Sequence, residues 1–362
     1  MANFFPPHRF SSFSSLRVAC MLGLFGAFLA VGLAFFTPQA HGESDLSGIN
    51  LPELSMAMAD LAEPVLAATV YLRVDQFESA ESDQDAQSGQ GSGFVLDAAK
   101  GLIGTNAHVA GSARSMVRVT FDDGRVCDGV VVGADPQFDL AIVKIEPGFA
   151  KAQLEWGQSD ALRPGDFVLA VGNPFGLKGT VSFGLVSALG RRLDMREDSY
   201  ESYVQFDAFI APGSSGGPLV DMRGQLIGVN TAIGGQTGSW EGISYAVPEA
   251  MAQSVLEALA SGKPLQRAKL GVAVRDVDAK FGRLVDLDPP RGARITKVMP
   301  DSPAAQGGLE LGDVILSLDG VAITDSAHLR ARIGALSPQT TIKLEVWRDE
   351  EMQLVRIALA AK

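Results

Sequence analysis

From Val65 onward, apolar residues recur in short runs at every second position, and the runs are cut by glycine, aspartate and proline. The segments MVRVTF (116–121), which alternates, and RVCDGVVVG (125–133), rich in valine, lie on either side of Asp123-Gly124, which predicts two strands joined by a hairpin turn. Val65 to Val74, Phe94 to Leu96, Leu102 to Thr105 and Leu140 to Ile145 read as further strands. Two stretches depart from period two. Leu54 to Leu61 predicts a short helix that stops near Pro64, and EAMAQSVLEALASG (249–262) predicts an amphipathic helix ended by Gly262 and Pro264. Glu43 to Pro52 reads as a polar linker, and Phe77 to Gln90, rich in acids, Ser and Gln, as an exposed loop. The pattern is that of a mainly β protein.

The N-terminus follows a different rule. Val18 to Phe36 carries no charge, and Arg9 and Arg17 precede it. As a helix this run would be roughly 28 Å long, which suits a membrane anchor. Small residues in Ala40-His41-Gly42 also suit cleavage of an export signal before Glu43, so both readings stand. Either one places the remaining chain outside the cytoplasm.

A length of 362 residues implies two domains beside this segment. A formal net charge of −12 disfavours nucleic acid and anionic membrane surfaces as partners. The two cysteines, Cys20 and Cys127, imply neither a disulfide framework nor a metal site, and Cys127 reads as a small buried hydrophobe. No cofactor is expected.

The stretch DAFIAPGSSGGPLV (207–220) places Ser215 in a glycine-rich turn that can expose a side chain and gather backbone N–H groups at one point. Taken alone, such a run is more often a plain turn. His108, after a strand, and Asp139, before another, would each usually be an ordinary polar residue. Together the three supply a base, its orienting carboxylate and a nucleophile, in the chain order of a chymotrypsin-like double β-barrel.

At these positions the sequence resembles the HtrA, or Deg, serine proteases of the bacterial envelope. GSGFVL, TNAHV (105–109), DPQFDLAIVKI, VGNPFGL (171–177), VSALGR (186–191) and GSSGGPLV carry the resemblance in order. It implies a trypsin-like protease domain over residues 54–255, after a signal peptide or anchor (1–42) and a linker (43–53). A second linker (256–267) and a PDZ domain (268–362) would follow. His108 would be the general base, Asp139 its partner, Ser215 the nucleophile, and the N–H groups of Gly213 and Ser215 the oxyanion hole. Ser214 departs from the Asn or Asp usual before the nucleophile.

Ile210 would line the pocket for the side chain before the scissile bond, with Ile233 as a further candidate, although ordinary core packing explains either one equally. Thr231, Ala232 and Ile233 read as a strand edge for an extended substrate. Arg191, in a charged stretch reaching Ser202, would be a regulatory residue. KLGV (269–272) resembles a PDZ carboxylate-binding loop, in which the N–H groups of Leu270, Gly271 and Val272 receive a C-terminal peptide. The implied protein is a periplasmic endopeptidase for misfolded or signal-bearing proteins, soluble or tethered to the inner membrane through residues 18–36, and a homotrimer. The contrasting reading is a peptide-binding chaperone or scaffold with an idle triad.

Overall fold

The computed structural model describes residues 50–74, 89–177, 179–193, 199–234, 240–262 and 266–362. The signal or anchor segment, most of the first linker, most of the acidic loop, the middle of the charged stretch after Arg191, and Pro264 lie outside the described residues. Leu51–Lys362 cluster as one compact unit.

Six strands close the first barrel: β1 (Thr69–Val74), β2 (Gln90–Asp97), β3 (Leu102–Thr105), β4 (Met116–Phe121), β5 (Val126–Asp135) and β6 (Leu140–Lys144), in the order β1-β2-β3-β6-β5-β4. The second barrel comprises β7 (Phe167–Gly172), β8 (Thr180–Arg191), β9 (Tyr203–Phe206), β10 (Pro218–Val220), β11 (Leu226–Gly234) and β12 (Ile243–Pro248), ordered β10-β11-β12-β9-β8-β7. The hairpin at Asp123-Gly124 forms as expected, with Gly124 at φ 84° donating its N–H to Phe121 O.

Alternation is clear in β4, where Val117, Val119 and Phe121 fill the barrel while Met116 and Arg118 face out. In β6 both faces are apolar for a different reason. Ala141 and Val143 enter the first barrel's core, and Leu140 and Ile142 join a second cluster with Leu169, Val171, Val229 and Val247 of the other barrel. A strand sandwiched in this way reads as a continuous apolar run.

Three helices flank the barrels: α1 (Leu51–Ala67), the short α2 (Ala107–Ala110) and α3 (Glu249–Ala260). α1 runs through Pro64, where the sequence predicted a stop, and the first strand begins at Thr69 rather than Val65. Met58, Leu61, Val65 and Leu66 form a helical stripe packed on the inter-barrel core. That burial offsets the lost hydrogen bond of an interior proline. The boundary expected after residue 255 falls inside α3, because Leu256 and Leu259 are buried in the same core as Met251 and Val255. Cys127 is half-buried against the first barrel's core, and burial pushes its thiol above the ordinary range.

After α3 the chain forms β13 (Ala268–Lys269), β14 (Val272–Asp276), α4 (Ala279–Leu284), β15 (Ala293–Val298), α5 (Pro303–Gln306), β16 (Val314–Leu318), β17 (Val321–Ala322), α6 (Ser326–Ala335), β18 (Thr341–Arg348), β19 (Glu351–Ala358) and β20 (Ala360–Ala361). β14-β15-β16-β18-β19 form one sheet and β13 pairs with β20. Ile295, Ile315, Leu329, Ile342, Leu344 and Val346 form a separate core.

At the start of α3, Glu249 is only 6% exposed and accepts hydrogen bonds from Ser159 N (3.0 Å) and Ser159 Oγ (3.3 Å). Burial pushes its carboxyl above the ordinary value of 4.5 despite those bonds. The folded state therefore holds this proton more tightly than the unfolded chain does, and ionising Glu249 as pH rises removes stability. Replacing Glu249 by Gln is expected to flatten that part of the pH–stability curve. Urea midpoints of both proteins between about pH 4.5 and about pH 7.5 check the slope.

Candidate active site

β3 ends at Thr105, and the chain turns through Asn106 into α2, which presents His108. Asp139 immediately precedes β6, in a left-handed conformation at φ 55° that aims its side chain back at α2. His108 Nδ1 lies 2.7 Å from Asp139 Oδ2, and the His108 backbone N–H donates to Asp139 Oδ1 at 2.9 Å. From the second barrel, Thr231 Oγ1 donates to Asp139 Oδ2 at 2.8 Å. Asn106 Nδ2 holds the Asp139 carbonyl at 2.7 Å. Three donors thus converge on one carboxylate, and its contact with Nδ1 fixes the orientation of the imidazole.

Ser215 sits across the cleft in the expected turn. Gly213 has φ 101° and Gly216 φ 84°, and a Cβ on Gly216 would stand 2.3 Å from Ser92 O and from Thr105 Oγ1. Both positions therefore exclude a side chain. Ser92 ties the turn to the first barrel. Its Oγ donates to Gly213 O (2.7 Å) and accepts from Asn173 N (2.8 Å), while its N–H donates to Ser215 O (2.8 Å). The Ser215 hydroxyl donates to Thr231 O at 3.3 Å, and among the described residues it makes no hydrogen bond to His108.

The N–H groups of Gly213 and Ser215 donate to no group among the described residues, whereas Ser214 N is bound to Ala211 O and Gly216 N to Asn230 O. Ser214 is buried, and its Oγ accepts from Ala211 N at 3.3 Å. The hydroxyl thus supplies an acceptor that an Asn or Asp side chain could also provide.

Ile210, 3% exposed, packs in the second barrel's core with Val186, Phe206 and Ile227, and half-buried Ile233 packs against the same cluster. On β11, Ala232, Ile233 and Gly234 pair with Tyr245, Ser244 and Ile243 of β12, whereas β10 reaches only as far as Val229. The far edge of Thr231 to Gly234 has no strand beside it among the described residues.

In the C-terminal module, Gly271 has φ 85°, and a Cβ there would lie 2.2 Å from the Ser302 side chain. Gly271 O accepts from Met299 N and Leu270 O from Ala304 N, each at 2.9 Å, which fixes the loop Leu270-Gly271-Val272. The loop opens on a cavity of about 820 Å³ between β14 and α6, whose wall includes Tyr200 of the barrel unit. Tyr200 packs on Gly334 of α6 and stacks on Phe138 at 4.8 Å. Arg191, expected to sense the neighbouring module, donates Nε–H to Gln205 of β9 at 2.8 Å. Ion pairs that join the modules, among the described residues, include Arg267 to buried Asp135 and Arg332 to Asp160 (2.6 Å).

Two six-stranded barrels with an acid, an imidazole and a serine at their junction, followed by a PDZ module, define a trypsin-like class. Residues 91–229 match the trypsin-like peptidase domain family and residues 268–359 the PDZ domain family. The periplasmic serine endoprotease DegP of Salmonella typhimurium is 40% identical over 269 residues, 74% of this chain and 56% of DegP. The periplasmic pH-dependent serine endoprotease DegQ of Escherichia coli K12 is 37% identical over 320 residues, 84% of this chain and 70% of DegQ. The solved HtrA-type protease AlgW with tripeptide superposes with a TM-score of 0.64 at 33% identity, over 84% of this chain and 97% of AlgW. The chain belongs to the HtrA, or Deg, family of serine proteases. It spans about half the length of the DegP relative, 56%.

Sequence reasoning assigned no role to Thr231 Oγ1, Ser92 or Arg267. Ser92 stands in GSGFVL and Asn173 in VGNPFGL, so the motifs flagged the region without revealing the bonds. Ser92→Ala would leave the buried Gly213 O and Asn173 N without this partner. A loss of about 1–3 kcal/mol in unfolding free energy is expected, read by urea denaturation.

Proposed function

We propose that the chain is a serine endopeptidase of the bacterial cell envelope that cleaves misfolded or signal-bearing proteins. The observation that carries this reading is the His108–Asp139 contact of 2.7 Å facing a serine on a glycine turn. With Nδ1–H bound to Asp139, Nε2 is left to accept a proton. Ser215 Oγ leaves Thr231 O, gives its proton to His108 Nε2 and attacks the scissile carbonyl. The N–H groups of Gly213 and Ser215 receive the resulting oxyanion. His108 then protonates the leaving amine, and water, activated by the same imidazole, hydrolyses the acyl-enzyme ester.

The free edge of Thr231, Ala232 and Ile233 suits an extended, unfolded substrate, which favours unfolded proteins over folded ones. Ile210 and Ile233 are kept as candidates for the pocket that would take a small or medium aliphatic side chain before the cleaved bond, Ile210 from its place in the barrel core behind the turn. The PDZ loop, Leu270 to Val272, receives C-terminal peptides, and Arg191 is kept as the regulatory residue that relays their binding. The names of the DegP and DegQ relatives support a periplasmic location. The anchor or signal in residues 18–36 lies outside the described residues. Among the described residues, no helix is long and apolar enough to cross a membrane.

One observation favours the second reading, a peptide-binding chaperone or scaffold with an idle triad: the Ser215 hydroxyl is bonded to Thr231 O rather than to His108. Digestion of casein with and without C-terminal peptides separates the two. Wild type is expected to cleave and to label with a fluorophosphonate, and Ser215→Ala to lose at least ~10⁴-fold in turnover. Arg191→Ala is expected to retain basal cleavage and lose the peptide's stimulation. Binding of denatured protein with no labelling and no cleavage would establish the scaffold.

A homotrimer accounts for an apolar patch on the second barrel. Phe167 (54% exposed) and Phe183 (49%) lie on its outer face with ring centroids 5.0 Å apart and planes tilted by 37°, a pairing that suits contact with another copy. Light scattering is expected to give a trimer for wild type and a monomer for Phe167→Asp.

A further inference from the structure

The cavity beside the carboxylate-binding loop has an apolar floor and a basic rim. Leu270, Val272, Leu329 and Ile333 line it, and so, among the described residues, do four cations, Arg192, Lys269, Arg330 and Lys362, and one carboxylate, Glu201. This runs against the rest of the molecule, whose formal net charge is −12. Two acids neighbour the rim, Glu201 and Asp276, the latter within electrostatic reach of Arg192 and Arg330. Glu201 is buried and accepts from Leu193 N (2.6 Å) and Ser199 Oγ (2.8 Å). Asp276, at the far end of β14, accepts from Ser326 N (2.9 Å) and Ser326 Oγ (2.6 Å), closing the start of α6. Lys269 and Arg330 are exposed, and no ion pair of either is found among the described residues. Among the described residues β14 pairs with β15 alone, which leaves its other edge open toward α6.

We propose that this groove selects acidic C-terminal peptides, with an apolar last residue on its floor and carboxylates just upstream that Arg330 and Lys269 read. The proposal rests on the reading that the groove takes C-terminal peptides, and adds the chemistry of the partner. A strand added to β14 places its terminal carboxylate at Leu270 to Val272 and its last side chain against Leu329 and Ile333. The residues before it pass between β14 and α6, where Arg330 stands one helical turn before Ile333. Main-chain bonds and an apolar pocket accept many tails alike, whereas a like-charged tail beside these cations is repelled. Charge therefore supplies the discrimination that the backbone cannot.

The test uses the full chain carrying Ser215→Ala, so that no peptide is cleaved, and fluorescence anisotropy with labelled decapeptides. All end in Leu-Val-Leu, preceded by four Glu, four Gln or four Lys residues, and each is also made as the C-terminal amide. At about 50 mM salt the Glu peptide is expected to bind about tenfold more tightly than the Gln peptide, the scale of two or three exposed ion pairs. Raising the salt to about 500 mM should largely erase the difference. Arg330→Glu, an exchange at an exposed position, should abolish the preference and favour the Lys peptide. Equal affinity for Glu and Gln peptides, both tighter than their amides, would overturn the charge selection and leave the groove's peptide role standing. A Glu preference that survives both Arg330→Glu and Lys269→Gln would remove these residues from the account. If the Gln peptide binds no better than its amide, the underlying reading of the groove fails, and the charge selection with it.

Discussion

The carboxylate of Asp139 accepts hydrogen bonds from the backbone and ring of His108, both in the first barrel, and from the hydroxyl of Thr231 in the second. The rest of the site depends on this arrangement. A carboxylate between two domains would be costly to bury if left unpaired, and here each oxygen has a partner. Because one donor comes from the far barrel, the orientation of the imidazole is coupled to how the two barrels are docked. The large apolar cluster of Leu140, Ile142, Leu169, Val171 and Val229 fixes that docking directly beneath it.

The serine's side of the cleft is built by the same logic of cross-barrel satisfaction. Ser92 belongs to β2 of the first barrel, yet it bonds Gly213 O, Asn173 N and Ser215 O of the second. The turn is thus held by groups distant in sequence, and its glycines are needed where Ser92 O and Thr105 Oγ1 come within reach of a side chain. Thr231 serves twice, with its hydroxyl on Asp139 and its carbonyl on Ser215 Oγ. One residue of β11 therefore sets the resting position of both the carboxylate and the hydroxyl.

The contact between the barrels and the PDZ module is also a charge and ring arrangement. Arg267 pairs with buried Asp135, donates to Gly334 O, and lies over the rings of Phe138 (4.9 Å) and Tyr200 (5.2 Å). A guanidinium set against two stacked rings and a carboxylate is well compensated, by charge and by its flat shape. Phe138 is the residue next to Asp139 and Tyr200 lines the cavity between β14 and α6, so the triad and that cavity share a packed boundary.

Much of this was legible in the residues. Period-two alternation and the Asp-Gly turn mark the strands, since a side chain's face on a strand follows from its position alone. Glycines in GSSGG mark a turn closed to other residues, and the order His108, Asp139, Ser215 marks a double barrel. The end of the first helix was misread at Pro64 and the protease domain's boundary was set at residue 255, inside α3, because local rules cannot weigh the apolar stripe that tertiary packing buries. The sequence by itself determined which segments form strands, which turn needs glycine, and which residue types are available for chemistry, all of them properties of neighbours along the chain. Only the tertiary structure decided that Thr231 joins Asp139, that Ser92 bridges the barrels, and that Arg267 rather than Arg191 pairs across the modules. Each of these bonds joins groups about 65 to 130 residues apart, whose meeting depends on how whole barrels pack.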